Sequence, residues 1–93
     1  MSVFTLPAAL KVILDEAFAG STANVIVIPE GCTTIGSRAF AGCTDLLEIT
    51  IPASVTEIAA DAFSGCYGVT VISPSVSAAQ AMAEANGFVW QAM

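Results

Sequence analysis

Few side chains in this chain of 93 residues could do chemistry: three cysteines (Cys32, Cys43, Cys66), eight carboxylates and one lysine, Lys11, with no histidine. A serine or cysteine nucleophile is normally activated by a neighbouring base, most often histidine, so neither a Ser–His nor a Cys–His pair can be built. Glu57 and Asp61 are of the type used in acid–base catalysis, but their setting is that of solvated turn residues. Zinc needs paired C-x2-C or histidine spacing, and the cysteines come singly. The seven glycines are separated punctuation rather than a phosphate cradle. These missing parts predict a protein that is not an enzyme and has no cofactor or metal.

The elements that would position those residues repeat. Residues 51–66, IPASVTEIAADAFSGC, share a skeleton with residues 28–43, IPEGCTTIGSRAFAGC, and more faintly with residues 6–21, LPAALKVILDEAFAGS. Equivalent residues fall in columns: Pro7, Pro29, Pro52; Ile13, Ile35, Ile58; Phe18, Phe40, Phe63; Gly20, Gly42, Gly65; and Leu10, Cys32, Val55. The spacing is 22 residues from Phe18 to Phe40 and 23 from Phe40 to Phe63. Such a period predicts a solenoid, in which each repeat buries its apolar face against its neighbours. The expected organisation is one domain over residues 1–93, with repeats at about 6–28, 29–51 and 52–73 and a cap at 74–93.

Stacked repeats would bring Cys43 and Cys66 to roughly 5 Å at their Cα atoms, near disulfide range. Ser21 occupies the same column in the first repeat, where a small buried residue with a weak hydrogen-bonding group suffices. The pair is therefore read as reduced core thiols, with a bridge as the alternative.

Each repeat can be assigned local structure from its punctuation. Proline cannot donate to a sheet ladder, so each repeat-heading proline ends the strand before it, over residues 24–28 and 47–51. Residues 33–35 and 55–58 predict a second short strand, and residues 36–40 and 59–63 a helical or 3₁₀ turn closed by Gly42 or Gly65 at positive φ. In Leu46-x-x-Ile49-x-Ile51 the apolar residues point inward, leaving Leu47, Glu48 and Thr50 outward. Near the C-terminus, Ser75 or Ser77 can cap a helix that Asn86-Gly87 stops, with Val76, Ala79, Met82 and Ala83 on its buried face. Phe88 and Trp90 then alternate as in a last strand.

Composition sets limits. Hydrophobic residues make up 56% of the chain and charged ones 11%, far from the disordered class. A net charge of −6 repels phosphate backbones and anionic lipid, so no nucleic-acid partner is expected. No apolar run approaches the ~18 residues of a membrane span, so no membrane insertion is expected either. The N-terminal stretch is apolar, but no basic residue precedes Lys11, and Lys11, Asp15 and Glu16 interrupt it; it is not read as a signal peptide.

The phrase I-P-x-S-V-T-x-I-x-x-x-A-F-x-G-C, nearly complete at residues 51–66, resembles the BspA-like leucine-rich repeat of bacterial surface proteins. The resemblance spans nearly the whole chain, departing in the first repeat, where Lys11-Val12-Ile13-Leu14 replaces a polar run and Ser21 replaces the cysteine. It implies a leucine-rich-repeat solenoid, a parallel β coil of three short repeats with helical turns, closed by a C-terminal helix and short strand. It also implies a non-catalytic binding or adhesion module, extracellular or at the cell surface.

From the residues alone, the candidate partner-binding face is Asn24, Val25, Val27, Leu47, Glu48, Thr50, Thr70 and Ile72, the outward positions of the strands. Two functions fit it: recognition of a protein partner, or self-assembly into a homo-oligomer through that sheet or through the poorly covered first coil.

Overall fold

A computed structural model of the chain describes residues 2–93. Eight strands, β1 (Val3–Thr5), β2 (Val12–Ile13), β3 (Val25–Val27), β4 (Thr34–Ile35), β5 (Glu48–Thr50), β6 (Glu57–Ile58), β7 (Thr70–Ser73) and β8 (Val89–Ala92), are joined by one helix, α1 (Ala78–Asn86), between β7 and β8. They form two parallel sheets, a five-stranded one in the order β1-β3-β5-β7-β8 and a three-stranded one in the order β2-β4-β6. Neighbours in each sheet are one coil apart in sequence: Ile26 pairs with Ile49 and Ile49 with Val71, while Ile13 pairs with Ile35 and Ile35 with Ile58. The solenoid expected from the period is the fold observed.

Proline sets the corners. After β1, β3 and β5 the chain turns at Pro7, Pro29 and Pro52, and each proline carbonyl accepts from the amide three residues on, at Leu10, Cys32 and Val55. Those three residues then turn into the core, Cys32 and Val55 completely. The strand before each proline is one residue shorter at either end than the sequence suggests. The same punctuation produces β1, since Val3-Phe4-Thr5 precede Leu6-Pro7 as Val25-Ile26-Val27 precede Ile28-Pro29. The repeats expected from the sequence begin at about residue 6 and assign no element before it; the large sheet gains this strand. Met1 lies outside the described residues.

The third face differs from expectation. Residues 36–40 and 59–63 form no helix but a run of tight turns. The amides of Ala39, Ala41 and Cys43 bond three residues back, to Gly36, Arg38 and Phe40, whereas those of Phe40 and Gly42 reach Ala62 and Ser64 of the next coil. Every second amide is thus spent between coils, and a helix would have kept them all local. Glu16 and Arg38, at φ 60° and 56°, make the left-handed breaks that permit this. Gly42 and Gly65 do close their turns at positive φ, 71° and 81°.

The columns pack as ladders. Phe18, Phe40 and Phe63 stack with ring centroids 5.6 and 5.1 Å apart, and Phe4 and Phe88 close the two ends of the column edge-on, at 5.5 and 6.2 Å. Ile26, Ile49 and Val71 form the inner row of the large sheet, all fully buried. Ser73 stands where Ile28 and Ile51 stand in earlier coils, and its buried hydroxyl accepts the Trp90 indole N–H at 2.9 Å. A polar residue there lets β8 and its tryptophan seal the last coil without an orphaned donor.

Ser77 is the N-cap of α1, its hydroxyl accepting the Gln80 amide, and Gly87 at φ 72° is the C-cap. Ala79, Met82 and Ala83 face inward as expected. Val76 does not. It precedes the cap, is 96% exposed, and holds φ 54°, because its amide is taken by the Gln80 side chain at 2.6 Å. A β-branched residue in the left-handed region is strained by about 1–2 kcal/mol, of which glycine's greater unfolded-state entropy offsets a part. Val76→Gly is therefore expected to stabilise the protein by about 0.5–1 kcal/mol, read as a rise in the urea midpoint.

Candidate partner-binding face

Alternation along the five-stranded sheet turns two side-chain rows outward. One row is Val3, Val25, Glu48, Thr70 and Val89; the other is Thr5, Val27, Thr50, Ile72 and Gln91. Of these ten residues only Glu48 is charged, although the chain carries eight carboxylates. The central residues, Val25, Val27, Glu48, Thr50, Thr70 and Ile72, are half-buried by their neighbours in the row, and the outer strands are more open, Val3 at 60% and Val89 at 63% exposure.

The expected face residues occupy this sheet or its rim. Leu47, half exposed, lies just before β5 at the edge where the chain enters the sheet. Asn24 holds the equivalent place before β3, but its amide is engaged within the stack: Oδ1 accepts the Ser2 amide at 2.8 Å and Nδ2 donates to the Asp45 carbonyl at 3.0 Å. It ties three coils together. Sequence reasoning missed Val3, Thr5, Val89 and Gln91, which β1 and β8 add to the rows, and Tyr67, the most exposed aromatic ring, on the turn leading into β7. The signal for β1 was present in the residues before Pro7; nothing in the repeat marks Tyr67.

The cysteines belong to the scaffold. All three are free and buried. The Cys43 thiol donates to the Phe18 carbonyl at 3.3 Å, and the Cys66 thiol to the Phe40 carbonyl at 3.1 Å. Each thiol thus bonds one coil upstream. Ser21, in the first coil, instead accepts the nearby Ala23 amide at 3.3 Å. Burial pushes both thiols up, Cys66 to about 11. An unfolded thiol ionises near 9.0, so the unfolded state sheds this proton first as pH rises. The stability due to the protonated Cys66 is full below pH 9 and is lost as pH climbs towards 11. The urea midpoint is expected to fall across that window, and Cys66→Ser, which keeps the hydroxyl donor but does not ionise there, is expected to flatten the fall.

Of the two carboxylates that could have done acid–base work, Glu57 and Asp61, the second is tied into the stack. Ser37 links Asp15, which accepts its amide at 2.9 Å, to Asp61, which accepts its hydroxyl at 2.9 and 3.0 Å. Among the described residues no three His, Cys, Asp or Glu side chains converge as a metal site would require. A groove of about 830 Å³ runs between β6 and α1, lined by Ile35, Ile58, Ala59, Ala81, Met82 and Ala85 among others. Thr34, Thr56, Glu57 and Asn86 also line it, and none of the expected face residues does. No helix of the described residues is long and apolar enough to cross a membrane.

Parallel coils of 22–23 residues, with an inward L-x-x-L-x-L strand and ladders of identical side chains, define a leucine-rich-repeat solenoid. The family model described as BspA type leucine rich repeat region (6 copies) matches residues 1–84, and the chain belongs to that family. Comparison with curated proteins gives no match, and neither does comparison with solved structures. The family suggests a repeat module of the protein-interaction or adhesion type, typically a non-catalytic scaffold, and its repeats are associated with cell-surface proteins.

Proposed function

We propose that the protein is a non-catalytic recognition module that binds a protein partner through the outer face of its five-stranded sheet, in an extracellular or cell-surface setting. The observation that carries this reading is the apolar character of an outward-facing sheet: Val3, Val25, Val27, Ile72 and Val89 make up half of its ten outward positions. A contiguous exposed apolar patch rimmed by polar residues is the mark of an interaction site. Leu47 and Tyr67 on the entry rim supply exposed apolar and aromatic area, tyrosine being a frequent anchor of binding energy.

Glu48 lies on β5, the middle strand. Packing this face against a second copy about a two-fold axis would bring two Glu48 carboxylates together, so the face suits a partner with an apolar surface and a basic group placed opposite Glu48. Three-residue strands across five positions make a patch of only a few hundred Å², on the order of 10 by 20 Å for the backbone, so binding through it is expected to be weak.

Selection of binders from a displayed peptide library against the immobilised protein tests the reading. Binders should be enriched in basic and apolar residues and should lose affinity on Glu48→Lys and Leu47→Asp. Binders that ignore both substitutions, and are displaced instead by changes at Ala81 and Ala85, would move the recognition site to the groove beside α1.

A further inference from the structure

The two ends of the stack are built differently. At the C-terminal end α1, β8, Phe88 and Trp90 cover the last coil. At the other end β1 and β2 are the outermost strands of their sheets, and among the described residues nothing pairs with their outer edges. Four exposed large apolar side chains belong to this first coil: Val3 at 60%, Phe4 at 38%, Val12 at 42% and Leu14 at 69%. Leu10 and Phe18, only partly buried, lie beneath them.

The backbone of this end has a definite pattern. The Ser2 carbonyl accepts from Asn24 and Val25, so even-numbered residues of β1 face β3. Val3 and Thr5 therefore turn both N–H and C=O away from the stack. On the third face the Ala39, Ala41, Ala62 and Ser64 carbonyls accept amides from the preceding coil, whereas their first-coil equivalents, Ala17 and Ala19, accept none among the described residues.

We propose that this end is a self-association surface, where two copies meet about a two-fold axis with β1 pairing antiparallel to β1 of the second copy. The edge complements itself: centred on Phe4, Val3 of each copy lies opposite Thr5 of the other, and the two residues exchange both backbone hydrogen bonds. Phe4, Leu10, Val12, Leu14 and Phe18 are covered, and the two five-stranded sheets become one of ten strands.

Size and charge both favour a second copy. The molecule measures 27 × 26 × 24 Å. One end therefore offers at most roughly 600 Å² and a pair at most about 1,200 Å², the lower bound for specific association. Residues 2–23 carry Lys11 against Asp15 and Glu16, a net −1 of the chain's −6, so pairing this end with itself brings few like charges together. The surface adjoins the outer sheet face at β1 but includes neither Leu47 nor Glu48, so the two roles are tested by different substitutions.

Sedimentation equilibrium of the 93-residue chain at 0.15 M salt tests it, from about 1 to 500 μM, the upper affinity range for interfaces of this size. The expected mass rises from 9.4 kDa to a plateau at twice that value. Leu14→Glu and, separately, Val12→Lys, both at exposed positions and checked for fold by circular dichroism, should hold the mass at 9.4 kDa throughout, while Leu47→Asp should leave the dimer intact. A wild-type mass of 9.4 kDa at the highest concentration would overturn the proposal. So would growth beyond the dimer without a plateau, a dimer that survives both edge substitutions, or one lost on Leu47→Asp.

Discussion

Phe40→Ala is expected to cost about 3–5 kcal/mol, the largest effect of any single core truncation in this protein. The ring is completely buried and stacked on both faces, against Phe18 at 5.6 Å and Phe63 at 5.1 Å. Its removal opens a void in the middle of the column, where no chain end can relax into it. A domain of this length has a total stability of roughly 5–14 kcal/mol, so the variant would lose about a fifth or more of it, and a thermal midpoint lower by about 12–40 °C follows. Phe18→Ala should cost less, because that ring is only partly buried and its upstream neighbour, Phe4, meets it edge-on. Equal losses at the two positions in urea titrations would mean that the column does not stack as described.

Gly36→Ala is expected to cost about 2–3 kcal/mol, in the range of overpacked cores, although Gly36 is not at positive φ. The reason is contact. A Cβ there would lie 2.5 Å from the Asp15 carboxylate oxygen, 2.8 Å from the Asp15 nitrogen and 2.9 Å from the Ile13 carbonyl oxygen. Two of those atoms are backbone of the preceding coil, so the coils would have to separate, stretching the Gly36 to Ile13 hydrogen bond of 2.8 Å. Gly42 provides the contrast. At φ 71° with nothing within 4 Å of an added Cβ, Gly42→Ala meets conformational strain alone, about 1 kcal/mol. Denaturant midpoints should thus rank wild type above Gly42→Ala above Gly36→Ala, and a reversed order of the two variants would reject close coil approach at Gly36.

What could be read from the residues is what stacking converts into a period. In a solenoid, residues 22 or 23 apart are spatial neighbours, so the Phe, Ile and Gly columns were visible before any coordinates. The outward strand positions were visible for the same reason, since β3, β5 and β7 alternate about fixed inward residues. Less was legible where the physics is not periodic. The third face was read as a helical or 3₁₀ turn closed by glycine, whereas inter-coil bonds at every second amide win once a neighbouring coil is present. Val76 fits a helical stripe by spacing, but the cap at Ser77 starts the helix at Ala78 and leaves Val76 outside. Asn24 has the look of a surface recognition residue, yet its amide bridges Ser2 and Asp45. Side-chain bonds between coils leave no period when only one coil uses them.

The account assigns inward columns to the fold and leaves the outer rows for recognition, and one variant separates these roles. Val25→Thr, Val27→Thr, Glu48→Thr and Ile72→Thr together keep β-branched residues on the strands while erasing the apolar and acidic character of the face. The decisive measurement is binding of the library-selected peptides to this quadruple variant, with its thermal midpoint recorded on the same sample. The expected result is a midpoint lower by no more than about 10 °C, corresponding to a loss of about 1–2 kcal/mol, together with a loss of binding of at least tenfold. A folded variant that binds as tightly as the wild type would contradict the assignment of recognition to the outer sheet face.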